Sequence, residues 1–283
     1  MSVYKGIDVS RWQEKIDWAK VKGSGIQFAM LRATYGWGEY QKDSYFELNY
    51  KKAKSLDIAV GVYHYAYATT VEEAVKEAEH CWSVIRGKQL EYPVAYDMEE
   101  DKIASLGKEK ISEIAKAFCE KMESYGCYVC IYANKHWLDN YFTEEIFENY
   151  DIWLAQWSSK PSFNRLYGIW QKSSKGRVSG INGYVDLDES YKNYPAIMKL
   201  NGLNGFAKTN GKPATGKKVT LNNAGLYASA KVTAETKKIS GDYFIYDGKL
   251  INGRVTNSAE NVGKTPVGKY VTGFVRASEI KGL

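Results

Sequence analysis

The sequence contains no stretch that is long and apolar enough to cross a membrane. Nowhere do about 18 apolar residues follow one another, which is the length that a membrane-spanning helix needs. The first residues, MSVYKGIDVS, also lack the basic start, apolar stretch and small-residue cleavage site of a secretory signal peptide. We therefore expect a chain that does not insert into membranes and is made in the cytoplasm without a secretion signal.

Cysteine is scarce, and its spacing does not favour a metal site. The four cysteines are Cys81, Cys119, Cys127 and Cys130, and the last two form a C-x-x-C motif within GCYVCIYA. This run is typical of a strand, where residues three apart point to opposite faces. Because there is no second C-x-x-C motif and no adjacent histidine, we expect buried free thiols, no metal and no cofactor.

Positive charge is concentrated at the carboxyl end of the chain. The net charge is +6, and residues 207–283 hold 13 Lys and Arg against 5 Asp and Glu. A cationic module favours an anionic polymer as partner, although lysine also promotes solubility. A nucleic acid and an anionic cell-wall polymer are the alternatives, and because the segment lacks the interleaved aromatic and basic residues of a nucleic-acid platform, we do not expect nucleic acid.

Composition changes near residue 200 and predicts two domains. All 8 Trp, 4 Cys and 3 His precede this point, and the segment LNGLNGFAKTNGKPATGKK has the Gly, Asn, Lys and Thr content of a linker. We predict a first domain over residues 1–197, a linker over 198–216 and a small domain over 217–283.

The first domain alternates strand-like and helical patterns, which predicts an α/β fold with a parallel sheet. Helical patterns lie at about 15–22, 44–56, 70–87 and 107–125, and eight strand-like runs are present. The later connections are short, so we expect a closed barrel that has lost its final helices. An open doubly wound sheet is the alternative, but no G-x-G-x-x-G or Walker loop follows a strand.

The last domain has short alternating runs interrupted by Gly, Asn and Asp. This pattern predicts a small all-β barrel. The pair Asp247-Gly248 is the predicted hairpin turn.

The run PVAYDMEE places three carboxylates directly behind an apolar strand pattern. On a strand, Asp97 and Glu99 project to one face, about 6 to 7 Å apart, while Met98 and Glu100 turn away. A packed barrel accommodates such a pair only at the mouth where the strand emerges. Repulsion between them keeps one carboxyl protonated beside an ionised partner. Such a pair of carboxyls is what glycosidases use to cleave glycosidic bonds.

Two further acids occupy comparable positions. Asp8 in KGIDVSRWQ and Asp186 in GYVDLDE each follow an apolar run. If the barrel closes, the first and last strands are neighbours, and these acids face Asp97 and Glu99 across one cleft. The alternative for each is a structural cap at a strand or helix end.

At these residues the sequence resembles glycoside hydrolase family 25, the Chalaropsis-type lysozymes. The resemblance covers about residues 3–195 and rests on an ordered set of motifs: GIDVSRWQ, FAMLRAT followed by Asp43, GVYHYA, VAYDME, IYAN, DIWLAQW and GIWQKSSKGRVSGINGYVDLD. There are two departures: Arg32 stands where lysine is common, and DLDE where Asp-Leu-Asn is common. Neither departure is expected to touch the acids.

The resemblance implies a TIM-like (β/α)5(β)3 barrel with five helices and eight strands. It implies Glu99 as general acid and Asp97 as the group that assists the substrate N-acetyl group, with Asp8 and Asp186 completing an acidic floor. Residues that match the substrate groove of the family are Tyr63, Tyr65, Tyr132, Trp153, Gln156, Trp170 and Gln171. The alternative is that several of them only pack the barrel. His64 points away from Tyr63 and is interpreted as structural.

The sequence therefore predicts a peptidoglycan hydrolase that cleaves the β-1,4 bond between N-acetylmuramic acid and N-acetylglucosamine. The tail weakly resembles Src-homology-like wall-binding modules, with a generic β domain as its alternative. We expect a phage or prophage endolysin, made in the host bacterial cytoplasm and acting at the cell wall after release. The rivals are a chitinase-like glycosidase, which usually has a longer D-x-x-D-x-D-x-E run, and an inactive sugar-binding barrel, which usually lacks the acid.

Overall fold

The computed structural model describes residues 3–207, 218–228, 234–251, 254–259 and 271–281. The chain divides into two compact units. The first comprises Met1–Met198 with Asn204–Phe206, and the second comprises Lys199–Leu203 with Ala207–Leu283.

The first unit contains a closed barrel of eight strands that are neighbours in chain order. The strands are β1 (Tyr4–Val9), β2 (Phe28–Tyr35), β3 (Ala59–Tyr65), β4 (Val94–Asp97), β5 (Val129–Asn134), β6 (Asp151–Ala155), β7 (Ile169–Gly176) and β8 (Val185–Ser190). All eight runs predicted from the sequence contribute a strand.

Helices cover the first five crossovers of the barrel, and the described residues between β6 and β8 contain none. They are α1 (Trp18–Gly23), α2 (Phe46–Lys54), α3 (Val71–Ile85), α4 (Asp101–Ala104), α5 (Lys108–Ser124), α6 (Lys135–Asn140) and α7 (Glu144–Asn149), followed by α8 (Tyr194–Asn201) after the last strand. The predicted TIM-like (β/α)5(β)3 barrel is confirmed.

The last strand departs from the predicted parallel sheet. Strands β1 to β7 pair in parallel, whereas β8 runs antiparallel to both β7 and β1. Only residues 177–184 separate β7 from β8. A parallel return needs a crossover of a dozen or more residues, so this short connection reverses the chain direction.

Side chains inside the barrel pack tightly below its carboxyl-end rim. The rings of Phe28 and Tyr92 stack with centroids 4.2 Å apart. Gly6 of β1 makes room for them, because a Cβ atom at this position would lie 2.2 Å from the Phe28 ring. The lower barrel is therefore filled, and polar side chains are accommodated at the rim.

His64 lies on the outer face of β3, as predicted. It is buried, and its Nδ1 is 2.7 Å from the hydroxyl of Thr34. Its other neighbour is Glu77 of α3, whose carboxylate accepts a hydrogen bond from the Tyr96 hydroxyl. The histidine is thus part of a polar cluster between strands and helix, away from the barrel interior.

The second unit carries a separate small β-sheet, which confirms an all-β domain at the end of the chain. Its order is β10-β11-β12-β9-β13, with β10 also pairing with β9. The strands are β9 (Lys218–Tyr227), β10 (Lys237–Ile251), β11 (Arg254–Ala259), β12 (Val271–Arg276) and β13 (Ile280–Lys281).

The predicted hairpin turn in this domain is wrong. Asp247 and Gly248 lie inside β10, where the pairing with β11 shifts register between Ile245 and Leu250. Ile251 pairs with Arg254, so the strands are joined after Ile251. An Asp-Gly pair within a strand is compatible with such an irregularity, and the turn signal alone did not distinguish the two cases.

All four cysteines are buried and unpaired. Among the described residues, no helix has the length and apolar character needed to span a bilayer.

Candidate functional site

The closure of the barrel brings two acids from opposite ends of the first unit together. Asp8 of β1 lies directly opposite Asp186 of β8 in the antiparallel ladder. Because β8 runs in the reverse direction, Asp186 stands near the start of its strand and still lies at the rim where β1 ends. The prediction placed Asp186 at the end of a strand, and the antiparallel direction explains the difference.

Asp97 and Glu99 lie at the same rim. Asp97 is the last residue of β4, with Tyr65 of β3 and Tyr132 of β5 as its neighbours in the sheet. Glu99 follows two residues beyond the strand end. The charge of Glu99 acts on Asp97, and that of Asp186 acts on Glu99. The four predicted acids therefore converge at one site.

Burial is the main influence on the protonation of these acids. Burial, reinforced by the charge of Glu99, raises the pKa of Asp97 well above its ordinary value, while Arg32 opposes the shift. Burial, together with Asp186 and Glu100, also raises the pKa of Glu99. Burial raises the pKa of Asp186 to about 6. The site is thus arranged to retain protons near neutral pH.

Gln171 of β7 joins three groups in the cleft. Its side-chain amide donates a hydrogen bond of 2.8 Å to the Oδ2 atom of Asp8. Its carbonyl oxygen accepts hydrogen bonds from the Tyr132 hydroxyl at 3.1 Å and from the Trp157 indole N–H at 3.0 Å. These bonds fix the orientation of the Asp8 carboxylate.

Three aromatic groove candidates line the interior beside the acids. Trp153 of β6 packs edge-on against Tyr132 and Tyr63, with ring centroids 4.6 Å and 6.1 Å apart. Burial and the nearby carboxyl of Asp8 raise the pKa of Tyr63. The rings and the acids therefore share one cleft.

The other groove candidates lie in different surroundings. Tyr65 is at the rim, where its hydroxyl donates a hydrogen bond of 3.1 Å to Glu100. The alternation rule directed Glu100 away from the site, but the strand ends at Asp97, so the rule does not extend to Glu100. Gln156 instead binds Ser162 through its side chain.

Trp170 lies on the opposite face of β7 from Gln171. It is buried in the core between strands and helices, and its indole N–H donates to the backbone carbonyl of Gln156 at 2.8 Å. Neighbouring residues on a strand alternate between faces, so Trp170 and Gln171 cannot both face the cleft. The structure does not bring Trp170 to the acids.

Both departures from the family pattern influence the acids, contrary to the expectation. Arg32 lowers the pKa of Asp97 and donates a hydrogen bond of 2.9 Å from Nε to Asp43. Asp188, within DLDE, is 2% exposed, and its charge contributes to raising the pKa of Asp8. The expectation failed because both side chains project into the barrel at the level of the acids.

Two residues of the site were missed as candidates. Asp188 stands two positions after Asp186, and this spacing places both side chains on the inner face of β8. Trp157 ends the run DIWLAQW and remains 63% exposed while it binds Gln171. Alternation could have identified the aspartate, whereas the tryptophan lies beyond its strand and offered no comparable signal.

Other exposed aromatic side chains follow the carboxyl ends of the first three strands. Trp12, Trp37 and Tyr67 are 70%, 41% and 40% exposed. They extend the aromatic surface around the rim. Within the described residues, no group of three or more metal-binding side chains is placed to hold a metal ion.

Comparison with known proteins agrees with this architecture. The autolytic lysozyme of Clostridium acetobutylicum is 31% identical over 188 residues, which are 65% of this chain and 55% of that protein. The chain thus spans about half the length of this curated relative. The CTP1L endolysin superposes with a TM-score of 0.62 at 25% identity, covering 69% of each chain.

The bacterial lysozyme of Streptomyces coelicolor superposes with a TM-score of 0.58 at 26% identity, covering 74% of this chain and 98% of that one. The sequence profile of glycosyl hydrolases family 25 matches residues 7–181, which is more than half of the chain and contains Asp8, Asp97 and Glu99. This chain therefore belongs to glycosyl hydrolases family 25.

Proposed function

We propose that this protein is a peptidoglycan hydrolase of the lysozyme type. It cleaves the β-1,4 bond between N-acetylmuramic acid and N-acetylglucosamine. The observation that carries the proposal is the convergence of Asp8, Asp97, Glu99 and Asp186 at one aromatic rim. Relatives of the same family are lysozymes by name.

Glu99 is the proposed general acid. Glycosidic oxygen is a poor leaving group unless it is protonated, and the donor must be protonated at the working pH. Burial and two neighbouring acids raise the pKa of Glu99. Its side chain is only half-buried beyond the end of β4, which leaves it accessible to a substrate.

Asp97 is the proposed partner of the substrate N-acetyl group. It is 5% exposed, and its Oδ1 atom accepts no hydrogen bond from the described residues. An acetamido N–H can fill this vacant acceptor position. The carboxylate would then orient the acetamido oxygen towards the anomeric carbon and stabilise the positive charge that develops there.

Asp8 and Asp186 complete the acidic floor, and aromatic side chains bind the sugar rings. Tyr63, Tyr132 and Trp153 lie beside the acids. Sugar rings present apolar faces that stack on aromatic rings, while their hydroxyl groups bind polar atoms such as those at the edge of the cleft.

The proposed function is tested by digesting purified peptidoglycan, reducing the new chain ends and analysing the fragments by mass spectrometry. We expect new reducing ends on N-acetylmuramic acid. Reducing ends on N-acetylglucosamine would indicate a glucosaminidase. Cleavage of chitin without cleavage of peptidoglycan would contradict the proposal.

We further propose that the second unit binds anionic polymers of the bacterial wall and that the protein acts as an endolysin. The excess of Lys and Arg in residues 207–283 supports this partner. Tethering to the wall raises the local concentration of the barrel on an insoluble substrate. Residues 207–283 fused to a fluorescent reporter should label walls of the target bacterium, and labelling should weaken at high salt.

A further inference from the structure

Asp188 is a buried carboxyl that lacks the partners a carboxylate requires. It lies on β8, opposite Gly6 of β1 on one side and Gln171 of β7 on the other. Its Oδ1 atom accepts a hydrogen bond of 2.9 Å from the indole N–H of Trp153. Its Oδ2 atom is buried and receives no N–H or hydroxyl group from the described residues.

The neighbour that remains is another carboxyl. The side chains of Asp8 and Asp188 are neighbours across the β1–β8 ladder and lie close enough to each other to share a hydrogen bond. Two ionised carboxyls have only acceptor oxygens, so a hydrogen bond between them needs a proton on one of them. The remaining donor to Asp8, the Gln171 amide, is neutral.

The groups that face this pair from the surrounding strands are acids, phenols and one cation, Arg32 of β2, which acts on Tyr63 and Asp97. Asp186 lies on β8, Tyr63 on β3 and Tyr132 on β5, and each interacts with the charge of Asp8. Asp188 also acts on Tyr92, which precedes β4. No ion pair joins Asp8 or Asp188 to a Lys, Arg or His among the residues described, so a second negative charge would be poorly compensated.

The energetics agree with the geometry. Burial raises the pKa of Asp188 to about 8, although the Trp153 hydrogen bond opposes the shift. Burial, followed by the charges of Asp188 and Asp186, raises the pKa of Asp8.

We propose that Asp8 and Asp188 share one proton and function as a single monovalent unit, in which Asp188 is a positioning residue that holds Asp8 against Gln171. Above neutral pH the unit loses the shared proton and acquires a second charge. Repulsion then separates the two carboxyls and disturbs the orientation of Asp8. The kinetic part of this proposal rests on the proposed glycosidase activity, whereas the shared proton does not.

The shared proton is tested first without an activity measurement. Protein labelled with ¹³C at the aspartate carboxyls is titrated by NMR, and the variants Asp188→Asn and Asp8→Asn assign the two signals. In the wild type, both signals should respond to one proton released above neutral pH. In Asp188→Asn, the Asp8 signal should titrate at a lower pH, because the amide is neutral and donates a hydrogen bond. Independent titration of both carboxyls near pH 4, or an Asp8 signal unchanged by the substitution, would overturn the proposal.

The consequence for the reaction is tested by the pH dependence of kcat/KM. Asp188→Asn is isosteric and retains an acceptor for Trp153, so it should keep activity within about threefold at acidic pH. The alkaline limb of its kcat/KM profile should move to higher pH by about one unit, because the amide cannot ionise. Asp188→Ala provides no hydrogen-bond donor for Asp8 and should lose activity at every pH. Asp188→Asn, which provides a donor, should retain that activity. An alkaline limb that does not move would overturn the kinetic part.

Glu189→Gln is the matched control on the same strand. Glu189 is the next residue along β8, faces the other side and pairs with Lys172. This substitution should leave both the NMR titration and the pH profile unchanged. A wild-type protein that fails to cleave peptidoglycan would contradict the proposed function, and the NMR titration would still decide the shared proton.

Discussion

Asp8 and Asp186 are partners in the ladder between β1 and β8, at the seam where the barrel closes. The same seam carries Asp188, two pairs further along, opposite Gly6. Acids on opposite sides of this seam lie close together only when the barrel is closed. Any change that opens the barrel at this point should therefore affect protonation in the cleft before it affects the distant helices.

Glu99→Gln tests the general acid. The amide keeps the size of the side chain but has no proton to transfer, so release of reducing sugars should fall by about 10²- to 10⁴-fold. Its unfolding temperature should remain close to that of the wild type. Glu100→Gln is the matched control, because Glu100 binds Tyr65 and is the adjacent carboxyl. We expect Glu100→Gln to reduce the release of reducing sugars by less than tenfold. Equal reductions in both variants would contradict the assignment of Glu99 as general acid.

Asp97→Asn should be more stable than the wild type at pH 8. Burial and Glu99 raise the pKa of folded Asp97 above its ordinary value of 3.8. Stability that is present below this ordinary value is therefore lost as the pH rises through the raised pKa. The gain in unfolding temperature should be largest at pH 8 and should vanish near pH 3.5, as measured by calorimetry.

Asp151→Asn provides the control of opposite sign for that measurement. Burial opposes ionisation of Asp151, but the charge of Lys192 and hydrogen bonds from Tyr194 and Tyr128 lower its pKa overall. Its substitution should destabilise the protein at pH 8. The interpretation of Asp97 fails if both variants change stability in the same direction.

Gln171→Leu should impair the reaction without opening the barrel. It removes the hydrogen bonds that Gln171 makes with Asp8, Tyr132 and Trp157. The buried Asp8 carboxyl then loses the bond that orients it, which is worth about 1 to 3 kcal/mol, so kcat/KM should fall by about 10- to 100-fold. Trp170→Phe, on the outer face of the same strand, should reduce stability and leave kcat/KM near the wild-type value. Comparable kinetic losses would show that the two faces are not separable.

Arg32→Met should raise the pKa of Asp97 further, because the guanidinium is the group that lowers it. The shift should appear in a carboxyl ¹³C NMR titration, and the acidic limb of kcat/KM should move to higher pH. Arg32→Lys keeps the positive charge and should preserve most of the wild-type pKa. If Met and Lys at this position give the same titration, Arg32 does not act through its charge.

Much of the fold could be predicted from periodicity. The helical pattern at about 107–125 predicted the long helix that the structure shows as α5, and apolar runs predicted all eight barrel strands. Local patterns carry this information because helices and strands repeat every 3.6 and 2 residues. The direction of β8 could not be predicted, because it depends on how a short connection packs.

The acids themselves were visible as charges that interrupt apolar runs. Their partners were less visible. Gln171 was identified only through family resemblance, and its bond to Asp8 joins residues 163 positions apart. Trp170 shared that resemblance but lies on the other face of β7.

The sequence by itself determined where strands and helices form and which positions carry buried charge, because both depend on short-range periodicity. Only the tertiary structure decided that Asp188 contacts Asp8 and that Arg32 acts on Asp97. Such contacts join different strands, and their distances are set by the register and closure of the whole barrel. The local periodicity of the sequence does not specify that register.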